Sequence, residues 1–281
     1  MKYLVFGSKG QLGKEFVRFF QKIEANYQAF DIDEIDISDK DKLYELCQSY
    51  KPDFIINCAA YNLVDNAESD PDSAYKSNTY GVQNLAEISN GTKSFLIHYG
   101  TDYVFDGKKE TGLYTEEDRA NPLSVYAKSK YEGELKVKEN TDNYLILRLS
   151  WVFGDGQQNF IYKLLQWAEK NEYLKIAFDE VSVPTSTQSI VETTLKALNS
   201  GLNGLFHLTN SGYSSRYEWA KYVLKKMNKK NILYPVSKEI FNLPAKRPGF
   251  SAMSNVLISK SLEIEIPSWE ESVDDYLSKY L

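Results

Sequence analysis

The chain has 281 residues, 42% hydrophobic and 26% charged, enough for one large domain or two intimately joined ones with a core that needs no disulfide or metal staple. Its net charge of -6 and pI near 5.2 lack the basic stripe of a general nucleic-acid surface, though a locally basic pocket stays open. Two cysteines, two histidines, no apolar run near the roughly 18 residues of a membrane span, and an N-terminus that enters a motif at once point to a cytoplasmic protein without membrane, nucleic-acid or metal-centre character.

Short apolar runs alternate with helical stretches through the first half. Strands are expected at Lys2–Phe6, Tyr27–Phe30, Asp53–Asn57, Ser94–His98 and Tyr144–Arg148, with His98 read as a strand-end residue. Helices are expected at Gln11–Glu24, Lys40–Tyr50, Asp72–Ser89 and Pro122–Lys138, the last begun by Asn121 as cap and Pro122 at the first helical position. This alternation implies right-handed crossovers and a doubly wound parallel α/β sheet of Rossmann type over residues 1–150. Residues 151–281 read as a smaller α/β substrate lobe, with some segments returning to the first domain. Its helices are expected at Asn159–Lys170, Thr187–Asn199, Ser215–Lys229 and Trp269–Leu281.

Gly7-Ser8-Lys9-Gly10-Gln11-Leu12-Gly13 follows the first strand and opens the first helix. Glycines there permit a tight turn, close approach of backbone amides to a pyrophosphate, and helix-on-sheet packing. The helix N-terminus would face the negative charge. Asp31, at the end of the second strand, is placed to bond the adenosine ribose, and no basic residue follows it before Lys40. That leans towards NADH over NADPH, with Lys9 as a second candidate phosphate contact.

A tyrosine four residues before a lysine shares a helix face with it. A neighbouring ammonium, together with the nicotinamide ribose, would lower the phenol pKa and fit it for proton exchange with a carbonyl. The spacing occurs four times, at Tyr126/Lys130, Tyr217/Lys221, Tyr222/Lys226 and Tyr234/Lys238. Only Tyr126/Lys130 falls between the fourth and fifth strands, at the sheet end where a nicotinamide would lie. The second and third pairs suit helix packing, and Tyr234-Pro235 suits a loop. Thr101, in the loop after the fourth strand, is expected to hold the substrate carbonyl near Tyr126. Asp102 would fix that loop, and Tyr103 would touch substrate or wall.

Together these pieces resemble the extended short-chain dehydrogenase/reductase superfamily, and within it the dTDP-4-dehydrorhamnose reductase family, over nearly the whole chain. The strings are the glycine loop, Asp36-Ile37-Ser38-Asp39, Cys58-Ala59-Ala60-Tyr61-Asn62-Leu63-Val64-Asp65-Asn66-Ala67-Glu68, Thr101-Asp102-Tyr103-Val104-Phe105-Asp106-Gly107, Arg148-Leu149-Ser150-Trp151-Val152-Phe153-Gly154 with Asn159-Phe160, and Ala245-Lys246-Arg247-Pro248. The resemblance implies adenine contacts at Asp36 and Ile37 and cofactor cover from Cys58, Ala59, Ala60 and Tyr61. It implies substrate contacts at Val64, Asp102, Tyr103, Trp151 and Asn159, with Arg247 facing a nucleotide diphosphate. The implied reaction is reduction of the 4-keto group of a dTDP-4-keto-6-deoxy sugar, with Thr101, Tyr126 and Lys130 catalytic.

Departures from the family pattern fall at Gly100, Asn62, the Asp179–Thr185 string and Arg216, and bear on the sugar rather than the catalytic pair. A reductase of other C4 stereochemistry, an epimerase or dehydratase, and a dinucleotide-binding regulatory subunit are the competing readings. Some family members pair through magnesium at acidic residues. No such acids are assigned here, and a monomer or homodimer is expected.

Overall fold

The protein was analysed as a computed structural model that describes residues 1–280. Six parallel strands form the central sheet: β1 (Lys2–Phe6), β2 (Asn26–Phe30), β3 (Phe54–Asn57), β4 (Phe95–Thr101), β5 (Tyr144–Leu149) and Gly204–His207. Their spatial order is Gly204–His207, β5, β4, β3, β1, β2. The strand order reverses between β1 and β3, the crevice where doubly wound sheets bind ligands. Both faces are covered. One packs Val5, Ile56, Ile97, Leu145 and Leu147 against Phe16 and Phe20, the other Leu4, Ile55, Leu96 and Ile146 against Leu43, Val82 and Leu85. Burial on both sides explains why these strands read as continuous apolar runs.

The helices α1 (Gln11–Lys22), α2 (Lys40–Tyr50), α3 (Pro71–Tyr75), α4 (Gly81–Thr92) and α5 (Val125–Asn140) connect the strands. The single helix expected over Asp72–Ser89 is interrupted by a π-helical turn at Lys76–Tyr80. That turn lies against α5, where Gly133 sits so close to the Asn78 carbonyl that a Cβ would collide with it. The expected cap at Asn121-Pro122 is also corrected. Helix α5 starts later, at Val125, with Ser124 accepting the Ala127 amide, while the Asn121 side chain bonds Asp106.

β4 runs three residues past the expected end, so His98 lies inside the strand, fully buried beside Asn57, and Thr101 becomes its last residue. Tyr234 and Pro235 sit not in a loop but in the strand Ile232–Val236, paired parallel to Tyr173–Ala177.

The second half contributes α6 (Phe160–Lys170), α7 (Thr187–Asn199) and α8 (Arg216–Lys226). Part of it returns to the first, since Gly204–His207 pairs with β5 and α7 packs on α1. The remainder has its own core of Phe153, Ile161, Leu164, Trp219 and Val223 with Trp269 and Tyr276 from the final helix Trp269–Leu277. The last residue of the helix expected over Trp269–Leu281 lies outside the described residues. No helix among the described residues is long and apolar enough to cross a membrane.

Candidate active site

The glycine loop turns at Gly7, whose φ of +76° belongs to the left-handed region that glycine adopts freely. A Cβ at Gly7 would strike the backbone of Cys58 and Ala59, and one at Gly13 would strike the Gly7 carbonyl. The loop is thus packed directly against the segment after β3. Helix α1 begins at Gln11 with Gly10 as cap, no side chain capping it and no acid in its first turn. Its leading amides are left for an anion, and the side-chain oxygen of Gln11 is buried there without a partner. This cradle fits a dinucleotide pyrophosphate. Leu12 turns inward onto the core.

At the end of β2, Asp31 accepts the Lys9 amide at 2.7 Å, so its carboxylate braces the glycine loop. The Lys9 ammonium is held by Asp33, with oxygens at 2.5 and 2.7 Å, which draws it away from a free phosphate-binding role. Asp36 accepts from Lys76 and the Ser38 amide. Ile37 is corrected as a side-chain contact for adenine: it is 5% exposed and packs on Gly81 in the core.

Beyond β3, the backbone of Tyr61 is pinned from both sides by Asn78, whose side chain accepts its amide at 2.9 Å and donates to its carbonyl at 3.1 Å. Asn78 also donates to Ser129 on α5, and Ser129 donates to the Tyr126 carbonyl. Asn78 therefore couples the loop Cys58–Tyr61 to the helix bearing Tyr126. Sequence reasoning missed this residue, because a π-helical turn leaves no mark in an apolar periodicity. Glu68, the last residue of the family-like string that begins at Cys58, accepts the Val125 amide at the start of α5.

Tyr126 packs in a small cluster with Tyr61, Val64 and Tyr103, its ring edge-on to Tyr103 at 6.2 Å. Burial pushes its phenol pKa up, while a hydrogen bond with Thr101 pulls the other way. The expected lowering runs through Lys130 and a nicotinamide ribose together; in the structure the phenol and the ammonium are not hydrogen-bonded to one another. The Lys130 ammonium instead donates to the Tyr99 carbonyl of β4 at 2.6 Å. Burial brings the Lys130 pKa down to about 8, opposed by the Glu134 carboxylate one turn away. Burial thus favours the neutral phenol at Tyr126, the form that gives up a proton. The three residues converge at the C-terminal end of β4, as named from position rather than spacing.

Asp102 is 2% exposed and does not present its carboxylate as a substrate contact. Ser182 and Ser251 donate to one oxygen at 2.7 and 2.6 Å, and Thr101 to the other at 3.3 Å. It ties the Thr101 loop to two segments of the second lobe. Burial raises its pKa to about 6, against the pull of those hydroxyls and of Arg216. Burial likewise raises the Tyr103 phenol to about 12.

Asn159 is corrected too. Its side chain caps α6 by accepting the Tyr162 amide and donates to the Gly154 and Gly156 carbonyls, which makes it a structural cap. Trp151, at φ +39°, stacks with Trp219 at 5.8 Å between ring centroids and carries the Arg216 guanidinium 3.6 Å from its own centroid. Arg247 binds Asp65 through both terminal nitrogens, at 3.0 and 2.7 Å. The departure at Gly100 has a packing cause: a Cβ there would run into Glu134, which forms a buried bidentate pair with Arg148.

The RmlD substrate-binding-domain family matches residues 1–281. The dTDP-4-dehydrorhamnose reductase of Sinorhizobium fredii is 40% identical over 79% of this chain and 78% of its own length. That of Escherichia coli K12 is 32% identical over 99% and 98%. Among solved structures, a dTDP-4-dehydrorhamnose reductase from Clostridium acetobutylicum superposes with a TM-score of 0.96 at 33% identity, covering 100% of this chain and 99% of that one. One from Bacillus anthracis, in complex with NADP, gives 0.95 at 32% identity over 99% of both. The sheet, the dinucleotide cradle and these full-length matches agree, and the chain belongs to the dTDP-4-dehydrorhamnose reductase family of NAD(P)H-dependent oxidoreductases.

Proposed function

We propose that this protein reduces the 4-keto group of a dTDP-4-keto-6-deoxy-hexulose, converting dTDP-4-dehydro-L-rhamnose to dTDP-L-rhamnose for cell-surface polysaccharide precursors. The observation that carries this reading is the convergence of Thr101, Tyr126 and Lys130 at the end of β4, beside the segment that contacts the glycine loop. Gly7, Gly10, Gln11 and Gly13 would hold the dinucleotide, which supplies hydride when bound.

The chain's own residues do the rest. Thr101 orients the carbonyl oxygen, and Tyr126 donates its proton to that oxygen as negative charge develops there. The high phenol pKa keeps the proton in place until the oxygen is basic enough to take it. Lys130, anchored on Tyr99, supplies a cation under the site at neutral pH. Val64, Tyr61 and Tyr103 form an apolar wall that excludes water and strengthens these interactions.

NADH is the proposed preferred cofactor. Asp31, Asp33 and Glu34 crowd the end of β2 with negative charge, and the nearby Lys9 is already neutralised by Asp33. A ribose 2′-phosphate would meet repulsion there.

Purified protein given dTDP-4-keto-6-deoxy sugar should oxidise NADH stoichiometrically and yield dTDP-L-rhamnose by NMR. Absence of nicotinamide oxidation with that substrate would overturn the reading. A product of the other C4 configuration would retain the reductase and reject the sugar.

A further inference from the structure

Residues 154–158 form a loop that is fixed at both ends and lashed between them to the helix that opens the dinucleotide cradle. At its start, a Cβ on Gly154 would strike the Thr187 side chain at the head of α7. At its end, Asn159 caps α6 and donates to the Gly154 and Gly156 carbonyls. Between these anchors Asp155 pairs with Arg18 of α1 at 2.7 Å. Gly156, at φ +141°, lies so near α1 that an added Cβ would stand 3.2 Å from the Gln11 side chain. Gln11 and Arg18 are two turns apart on one face of that helix. The loop therefore follows this face up to the helix N-terminus, where the pyrophosphate cradle begins.

Two sets of polar groups at this contact lack protein partners. The side-chain oxygen of Gln11 is buried and accepts from nothing. Among the described residues the amides of Gly156, Gln157 and Gln158 donate to nothing, and all three residues are exposed. A buried acceptor without a donor is costly. Phosphate oxygens cannot supply one, since they accept as well. An amide of the adjoining loop can, after a small shift that glycine at position 156 permits.

We propose that residues 154–158 are a strap that closes over the pyrophosphate of the bound nicotinamide dinucleotide and slows its departure, with Gln11 accepting a strap amide in the closed form. This rests on the dinucleotide reading of the glycine loop. The Arg18–Asp155 pair keeps the strap over the cradle, and its remaining amides add N–H donors to those that begin α1. Such a closure acts on release more than on capture, because it forms after the ligand has docked.

The test uses the full-length protein without sugar substrate. Hydrogen exchange read by mass spectrometry should show the amides of residues 156–158 slowed when NADH is added. Stopped-flow displacement of NADH gives its release rate. Asp155→Asn should speed release about two- to fivefold, the range for an ion pair with half-exposed side chains, at an unchanged association rate. Asp155→Glu, which keeps the pair, should stay near wild type. Gly156→Ala, forced into a backbone region that L-residues avoid and against Gln11, should speed release about tenfold. Strap amides that exchange equally fast with and without NADH would overturn the proposal. So would an unchanged release rate in both folded variants, including where association slows, since that pattern marks a scaffold for the cradle. Wild-type protein that binds neither NADH nor NADPH would instead overturn the dinucleotide reading.

Discussion

Arg247 and Asp65, 182 residues apart in sequence, form a two-pronged ion pair that clasps the segment after β3 to the tail of the second lobe. The Asp65 pKa is lowered chiefly by its hydrogen bonds to the Arg247 guanidinium. Arg247→Ala should therefore loosen the chamber around Val64 and Tyr103. We expect KM for the nucleotide sugar to rise by roughly tenfold to a hundredfold, as charge-assisted hydrogen bonds are worth about 1.5–3 kcal/mol. Asp65→Asn should give a smaller effect of the same sign. Steady-state kinetics check this, and an unchanged KM in both variants would show the clasp to be idle.

Tyr126→Phe removes the proton donor and little else, since the ring keeps its edge contact with Tyr103. Turnover should drop by roughly 10²–10⁴-fold, the usual range for a general acid, while NADH affinity holds. Fluorescence titration with NADH alongside turnover separates the two. Near-normal turnover would remove Tyr126 from its role.

The pKa of Lys130, brought down to about 8 by burial, predicts a loss of activity on the alkaline side. Its charge disappears as pH rises through 8, where a free lysine would keep it to above 10. For stability the sign is opposite. Between about 8 and 10.5 the unfolded chain binds the proton and the folded protein does not, so stability gains with pH from this group. A pH–rate profile with an alkaline limb near 8, in a protein not destabilised there, is the expected pattern.

Asp102, raised to about 6 by burial, works at the acid end. Above 6 the folded protein bears the cost of a buried charge, and between about 4 and 6 that contribution to stability falls as pH rises. Below 6 a proton competes with Ser182 and Ser251 for the oxygen that holds the Thr101 loop. Activity should therefore decline on acidification, and Asp102→Asn should flatten that limb while lowering turnover at pH 7. An acid limb that survives in the variant would place its origin elsewhere.

Glu134 and Arg148 are both buried and bonded to one another. Glu134→Ala leaves an unpaired guanidinium inside the protein and should cost about 3–5 kcal/mol in denaturant unfolding. Gly100→Ser should destabilise through the same pair, because the new Cβ would contact the Glu134 carboxylate.

How far the sequence reached depended on range. The strands β1, β3, β4 and β5 were legible because two-sided burial writes them as apolar runs, and Gly7–Gly13 because a pyrophosphate cradle demands glycine at set positions. Tyr126 and Lys130 were found by topology, not by their spacing. What stayed hidden depends on partners far along the chain. Asn159 resembled a ligand contact until its cap bonds were seen, Ile37 turned into the core, and Asn78 owes its role to a π-helical turn imposed by α5. No direct bond joins Lys130 to Tyr126, because the buried ammonium is held by the Tyr99 carbonyl, a partner that the helical spacing does not reveal.

The strand Gly204–His207, paired to β5, also dictates an order of events on the ribosome. When the first 150 residues have emerged, four of the five strand junctions exist, but β5 still offers a row of unmet amides and carbonyls along one side. Nothing occupies it until more than fifty further residues are made. A nascent chain halted at residue 150 is a sheet awaiting its neighbour, and such an edge recruits strands from other chains. The half that holds the dinucleotide cradle is therefore not self-sufficient: a 1–150 fragment should associate with itself, and size-exclusion chromatography would show it.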